Sequence, residues 1–156
     1  MSRLSPSRRT SGSDNLLLRR GDDKAKGRGG DDVLKGQGGD DKLKGDAGDD
    51  DLHGDGGKDR LWGGAGDDAL DGGKGNDRMW GGGGADVFHL SKGDGRDVIF
   101  DFKPGQDLIE IGRGAGRFGQ LDIEQKGKDA IVSFRNVAVK LDDVDADDLS
   151  AADFLF

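Results

Sequence analysis

Between residues 9 and 89 no long apolar run occurs. One apolar position recurs every nine residues, at Leu16, Ala25, Leu34, Leu43, Leu52, Leu61, Leu70, Met79 and Phe88. That spacing matches neither the 3.6-residue period of an amphipathic helix nor a long two-residue alternation. Each apolar position has a non-glycine neighbour on either side, and a run of about six residues rich in Gly and Asp precedes each triplet. The pattern therefore predicts a loop followed by a three-residue strand whose middle side chain points inward. A fixed period of this kind marks a solenoid, in which each unit buries its face only by stacking on others. Units begin at Arg9, Leu18, Gly27, Gly36, Gly45, Gly54, Gly63, Gly72 and Gly81. Position four is always Gly, and position six is Asp in every unit, from Asp14 and Asp23 through to Asp86.

After Leu90 the period stops. Short alternating runs follow, at 97–102, 107–111, 121–125, 129–134 and 137–141, separated by turn signals such as KPGQD and KGKD. These predict antiparallel strands that cap the open end of the solenoid, whose exposed edge would otherwise invite aggregation. The boundaries expected are a disordered basic tail over 1–8, the repeat array over 9–89 and a cap over 90–156.

Composition sharpens the question of what holds such a chain together. Glycine accounts for 31 of 156 residues, hydrophobic residues for 31%, and the net charge is −8 with 32 acidic residues. These values sit near the disordered class, so something other than a core must compensate. A flexible Gly/Asp linker would share the composition but has no reason to keep a period. Cysteine is absent, which excludes disulfides and thiolate metal sites. No apolar run reaches membrane-spanning length, and the start, MSRLSPSRRT, lacks the apolar stretch of a secretory signal peptide.

Glycines let backbone carbonyls approach a ligand, and aspartate adds a hard anionic oxygen; Ca²⁺ takes six to eight such oxygens. The unit, Gly-Gly-any-Gly-any-Asp-any-apolar-any, resembles the RTX nonapeptide repeat, the hemolysin-type calcium-binding repeat, over residues 9–89. The resemblance implies an all-β fold, a right-handed parallel β-roll with two nonapeptides per coil and Ca²⁺ between stacked loops. It implies carboxylate ligands Asp32, Asp50, Asp68 and Asp86 along one edge and Asp41, Asp59 and Asp77 along the other. It further implies backbone carbonyl ligands at position one (Gly27, Gly36, Gly45, Gly54, Gly63, Gly72, Gly81), position three (Gly29, Gly38, Ala47, Gly56, Ala65, Lys74, Gly83) and position five (Asp31, Asp40, Asp49, Lys58, Asp67, Asn76, Ala85). Pairing the seven strong units, each with the next but one, gives about five ions. Arg9 and Leu18 replace the first glycine of their units, which puts sites needing Asp14 or Asp23 in doubt. Without Ca²⁺ the stacked aspartates repel, so the metal-free chain is expected to be disordered and to fold on binding. Asp97, Asp101 and Asp107 are either further Ca²⁺ ligands or turn-forming and solvated residues.

The C-terminal third resembles the flanking region of RTX proteins exported by type I secretion. The terminal Asp153-Phe154-Leu155-Phe156 is similar to the Asp-plus-apolar tail of serralysin-type proteases, though it also reads as an ordinary edge strand. The resemblance implies a secreted protein that engages the type I machinery. RTX arrays commonly accompany proteases, lipases or mannuronan epimerases, and the chain resembles their non-catalytic modules. No catalytic activity is expected: acidic pairs such as Asp67-Asp68 recur with the repeat, His53 and His89 lie apart, and neither an HExxH signature nor a recognisable nucleophile is present. One outward face collects Lys24, Lys26, Lys42, Lys44, Arg60, Trp62, Arg78 and Trp80. It reads either as a solvated stripe or as a platform for an acidic polysaccharide, with the tryptophans stacking on sugar rings. Neither a nucleic-acid partner nor a membrane span is expected.

Overall fold

The computed structural model describes residues 12–112 and 116–156. The expected tail over 1–8 lies outside them. The chain forms an all-β parallel solenoid of about five turns with antiparallel C-terminal strands. Its strands are β1 (Asn15–Leu17), β2 (Lys24–Lys26), β3 (Val33–Lys35), β4 (Lys42–Ala47), β5 (Asp51–His53), β6 (Gly56–Gly57), β7 (Arg60–Ala65), β8 (Ala69–Asp71) and β9 (Lys74–Gly75). There follow β10 (Arg78–Gly83), β11 (Val87–Leu90), β12 (Arg96–Ile99), β13 (Leu108–Ile111), β14 (Asp122–Lys126), β15 (Asp129–Phe134), β16 (Val137–Leu141) and β17 (Phe154–Leu155).

Alternate units stack, as the repeat requires. One sheet runs β1-β3-β5-β8-β11-β13-β17, a second runs β2-β4-β7-β10-β12-β16-β15-β14, and β6 and β9 form a two-stranded third. In the regular coils partners sit 18 residues apart, as in Leu34↔Leu52 and Leu43↔Leu61. Between the sheets lies a single file of side chains. Leu34, Leu43, Leu52, Leu61, Leu70, Met79 and Phe88 are each fully buried, whereas Ala25 of a degenerate unit contributes only a methyl group. Glycine at position four is obligatory where coils touch: at Gly75, with φ +154°, an added Cβ would lie 1.6 Å from the Gly57 carbonyl oxygen.

One expectation is corrected. The runs at 97–102 and 107–111 are not antiparallel cap strands. β12 pairs parallel with β10, and β13 pairs parallel with β11. The roll continues through two concealed units, KGDGRDVIF (92–100) and FKPGQDLIE (102–110). Both keep Gly at position four, Asp at position six and a fully buried Ile at position eight, Ile99 or Ile109. Leu90 and Ser91, and then Asp101, interrupt the count, so partners fall 20 and 21 residues apart, as in Met79↔Ile99 and Phe88↔Ile109. Antiparallel pairing is confined to β14-β15-β16, and β16 also extends the roll in parallel beside β12. There the core widens around Val132, Phe134, Val137, Val139 and Leu141.

Candidate metal centre

The position-six aspartates are the most unusual groups in the molecule. Asp32, Asp41, Asp50, Asp59, Asp68, Asp77 and Asp86 are each at most 2% exposed. In each, Oδ1 accepts the backbone N–H of the aspartate 18 residues earlier, from Asp14 N–H to Asp32 at 2.6 Å through to Asp68 N–H to Asp86 at 3.1 Å. In each, Oδ2 has no hydrogen-bond partner. Seven buried carboxylate oxygens left without a donor are a large departure from normal practice, because such groups are otherwise almost always satisfied.

The orphan oxygens face the first glycine of their own loops. A Cβ built on Gly27 would fall 1.9 Å from Asp32 Oδ2 and 2.7 Å from the Gly45 carbonyl oxygen of the next coil. The same carboxylate-plus-carbonyl pair surrounds Gly36, Gly45, Gly54 and Gly63. Each of these five cradles joins an anionic oxygen to a backbone oxygen across two coils. At Gly72 and Gly81 the nearest atoms all belong to the unit's own aspartate. Among the described residues no three acidic or histidine side chains gather as a metal cluster. Any ion here must therefore take much of its shell from the backbone, as a hard cation does.

Burial pushes six of these carboxyls up from their ordinary value, and the neighbouring aspartates add to the rise. Asp41, Asp50, Asp59 and Asp86 are raised to about 6, Asp68 to about 7 and Asp77 to about 8. The rows are thus strained in their charged form unless a cation joins them.

The expected carbonyl ligands divide. Position-three carbonyls of Gly38, Ala47, Gly56, Ala65 and Gly83 already accept the position-four N–H of the coil before, which leaves each one lone pair. At position five the side chain, which sequence reasoning overlooked, has its own role. Asp22, Asp31, Asp40, Asp49 and Asp67 accept the N–H of the residue 18 further on, at Asp40, Asp49, Lys58, Asp67 and Ala85. The position-five ladder points up the roll and the position-six ladder points down it, so adjacent Asp-Asp pairs clamp coils from both sides. The signal was present in the repeated doublets. In the degenerate unit, Asp23 Oδ2 instead accepts the Arg19 N–H, and it does not join the orphan set, in keeping with the doubt about that unit.

Asp97 and Asp107 extend the inner ladder, accepting the N–H groups of Asp77 and Asp86 at 2.9 and 3.1 Å. Asp101 accepts those of Gly81 and Gly82. In the tail, Asp153 is buried, with Oδ1 accepting the Gly105 N–H and Oδ2 the Ser150 N–H. Phe154 is buried too, while Leu155 and Phe156 are exposed.

On the outward face Lys24, Lys42, Arg60 and Arg78 lie in register on adjacent strands. None forms an ion pair among the described residues. Exposed Asp22 and Asp40 border the same groove, so the stripe is not free of acids at its margin. Lys26 and Lys44 are in register one row over. The stacking role expected of the tryptophans is corrected. Trp62 and Trp80 stack on each other at 4.9 Å, Trp80 stacks on Phe100 at 4.4 Å, and the Lys44 ammonium covers the free face of Trp62 at 4.8 Å. Their faces are taken, and a sugar ring would meet only their edges.

Family models for the RTX calcium-binding nonapeptide repeat match residues 10–43, 26–61, 35–70, 53–88 and 62–99. The chain belongs to this family, whose repeats bind Ca²⁺ and are typical of proteins exported by type I secretion. The last match reaches into the first concealed unit. Among solved structures the chain is similar to the extracellular lipase LipA from Serratia marcescens, at 16% identity and a TM-score of 0.60, over 95% of this chain and 39% of the lipase. That likeness is one of fold, and the chain spans about two fifths of the lipase. It is also similar to two solution structures from the Azotobacter vinelandii mannuronan C5-epimerase. These are the AlgE6R3 subunit (26% identity, TM-score 0.43, 97% of this chain and 82% of the other) and the AlgE6R2 subunit (28%, 0.43, 88% and 92%). No curated protein sequence matches significantly. No helix among the described residues is long and apolar enough to cross a membrane.

Proposed function

We propose that the chain is a non-catalytic, calcium-dependent folding module that is exported through a type I channel and folds outside the cell. The observation that carries this reading is the set of buried, unpartnered Asp Oδ2 atoms, five of which meet a carbonyl of the neighbouring coil across a first-position glycine. Asp32, Asp41, Asp50, Asp59 and Asp68 would hold about five ions between loops, with backbone carbonyls completing each shell. Bound Ca²⁺ supplies the positive charge that lets these carboxylates remain ionised and stacked. The chain's own part is to present the oxygens: glycine leaves room, Oδ1 is tied to the coil before, and Oδ2 stays available. Low cytosolic calcium would keep the array unfolded and threadable, and weak sites would fill only outside. The paired acids are absorbed by the two ladders, which supports a structural rather than an acid–base role. The test is circular dichroism during calcium titration. In excess chelator the far-ultraviolet spectrum should be disordered; millimolar Ca²⁺ should convert it to a β spectrum and Mg²⁺ should not. A full β spectrum in chelator would overturn the reading.

A second reading rests on the four unpaired cations in register on β2, β4, β7 and β10. Like charges roughly 4.8 Å apart disfavour the sheet, and an acidic polysaccharide laid along the row would relieve them. Binding of the calcium-loaded chain to a polyuronate should weaken with salt and with Lys42→Glu plus Arg60→Glu. Indifference to both would make the row a solvated surface that opposes edge pairing.

A further inference from the structure

The two ends of the roll differ from its middle in a way that relates them to each other. Among the described residues the terminal strands of the first sheet are β1 and β17, and those of the second are β2 and β14. A terminal strand presents unpaired backbone groups along its outer edge, and such edges are ordinarily guarded by charge. The second sheet follows that practice: β2 reads Lys-Ala-Lys, and β14 carries Asp122, Glu124 and Lys126. The first sheet does not, since β1 reads Asn-Leu-Leu and β17 reads Phe-Leu.

One outward row of the first sheet sharpens the contrast. Register carries it from Leu17 on β1, beside Lys35, through His53, Asp71 and His89 to Glu110 and then Leu155 on β17. The inner members are polar and meet one another, with His53 Nδ1 3.7 Å from Asp71 and His89 Nδ1 3.2 Å from Glu110. Both outermost members are leucines. Leu17 is 64% exposed and Leu155 42%, and with Phe156 they are the large hydrophobic side chains left exposed among the described residues. In the neighbouring core row Leu16, at the open end, is only partly buried, whereas Phe154 at the far end is buried.

Charge divides the ends in a matching sense. Residues 12–28 hold five cations against three acids, and none of the five forms an ion pair among the described residues. Residues 141–156 hold six acids and no cation, with Asp145, Asp147 and Asp148 exposed. The terminal strands of the second sheet are complementary too. β14 stands two antiparallel steps from β16, so it runs in the same direction as β2. Ala25 on β2 and Ile123 on β14 belong to the core side, flanked by Lys24 and Lys26 on one strand and by Asp122 and Glu124 on the other.

We propose that the two ends of the roll bind each other between copies of this chain. β1 of one copy adds in parallel to the outer edge of β17 of its neighbour, Leu17 packs on Leu155, and Leu16 continues the core row beyond Phe154. On the second sheet Lys24 and Lys26 approach Asp122 and Glu124. The contact joins unlike surfaces, so it builds open chains of rolls rather than a closed dimer. It buries little area, because the strands are short, and the association is correspondingly weak. The proposal rests on the fold and the charge of its ends, not on where calcium binds.

The test is the weight-average mass of the full-length chain in millimolar calcium, measured by sedimentation equilibrium on protein whose β spectrum has been checked. The mass of the parent should rise at least twofold between micromolar and millimolar protein; a mass that stays at the monomer overturns the proposal. Leu17→Lys blocks one end and Leu155→Lys the other. Both leucines are exposed, so neither change opens the core, and the two introduced lysines repel if the blocked ends meet. Each variant alone should remain monomeric. An equal mixture should reach the dimer and stop there, because one intact end of each kind survives. A single variant that associates as the parent does, or a mixture that stays monomeric, overturns the head-to-tail contact. Should either variant fall short of the parent's β spectrum, Leu17→Gln and Leu155→Gln are measured in the same way, with the same outcomes deciding.

Discussion

The regular coils and the C-terminal end of the molecule stack on one axis by different means. Between residues 27 and 89 each stacked pair of loops shares a backbone-to-aspartate bond at position six, most share a second at position five, and each position-six aspartate keeps an unpartnered oxygen, around a core one side chain wide. Beyond residue 100, side chains close the gaps. Lys103 and Gln106 reach loop carbonyls, Asp153 takes the Gly105 N–H, and Lys140 bridges Asp129 and Asp142 at 3.0 and 2.6 Å. Phe118 packs on Phe154, and β14, β15 and β16 cover a broader apolar core. The contrast teaches where the fold depends on an external cation and where it carries its own. The largest effect should follow from withdrawing calcium stepwise while amide exchange is monitored. Amides of β3, β5, β7 and β8 should lose protection at free calcium levels where those of β15 and β16 remain protected. Loss of protection at one common level would erase the distinction.

Most of the roll was legible because each repeat has one reason for each residue: a core position, a carboxylate and a close approach. The two ladders follow the repeat once stacking is granted, but the position-five side chain escaped notice because Lys58 and Ala85 break its pattern. The concealed units were missed for a simpler reason. Leu90-Ser91 and Asp101 shift the phase, and Val98-Ile99-Phe100 reads as an alternating strand on its own. Allowing a slip of one or two residues while holding Gly at four and Asp at six recovers both. The tryptophan stack could not be foreseen in the same way. Which partner an aromatic face chooses depends on Phe100, whose register was hidden by that slip.

The next largest effect belongs to single carboxylates within the array. Asp68 holds the Asp50 N–H at 2.9 Å and presents its orphan oxygen beside the Gly81 carbonyl. Asp68→Ala leaves a buried donor unpaired, at about 1–3 kcal/mol, and removes a ligand as well. The calcium midpoint of folding should rise by about tenfold or more, tenfold being ~1.4 kcal/mol. Asp129→Ala, at the surface of the C-terminal hairpin, should leave that midpoint where it is. Equal shifts would place calcium dependence outside the loops.

Acid should act on the two regions differently. Asp41, Asp50, Asp59 and Asp77 are raised in the folded chain, chiefly by burial, from 3.8 to about 6 for the first three and about 8 for Asp77. A group raised on folding binds more protons folded than unfolded, so the stability it confers is full below pH 4 and is lost as pH rises toward 8. Metal-free protein should therefore gain β signal when the pH is lowered from 8 to 5. The calcium midpoint should rise over the same interval, because protons compete for the same oxygens. Asp129, held below its ordinary value by the Asp143 N–H and Lys140, has the opposite sign and weakens only in stronger acid. A metal-free spectrum unchanged between pH 8 and 5 would show that the carboxylates are not stacked before calcium arrives.

The smallest effect lies within the array, between its earlier and later coils. Position two adopts a left-handed backbone in the seven strong units. Later coils put glycine there, at Gly64, Gly73 and Gly82, whereas earlier ones carry Arg28 (φ 93°), Gln37 (φ 75°), Asp46 (φ 81°) and Asp55 (φ 69°). Aspartate tolerates this region, and Asp55 also uses its side chain to accept the Gln37 N–H. Gln37 has no such excuse, and its conformation costs about 1–2 kcal/mol. Gln37→Gly removes that cost but frees the unfolded chain by about 0.5–1 kcal/mol, leaving a net gain of about 0.5 kcal/mol. For a chain of this size that is a rise of roughly 1–2 °C in the melting temperature of the calcium-loaded protein. The reverse exchange, Gly73→Gln, meets both the left-handed backbone and a Cβ 2.4 Å from the Asp55 carbonyl oxygen, so it should lower the melting temperature by more than Gln37→Gly raises it. If Gln37→Gly is destabilising instead, the glutamine side chain holds its loop, and the earlier coils are braced by contacts that the later ones replace with glycine.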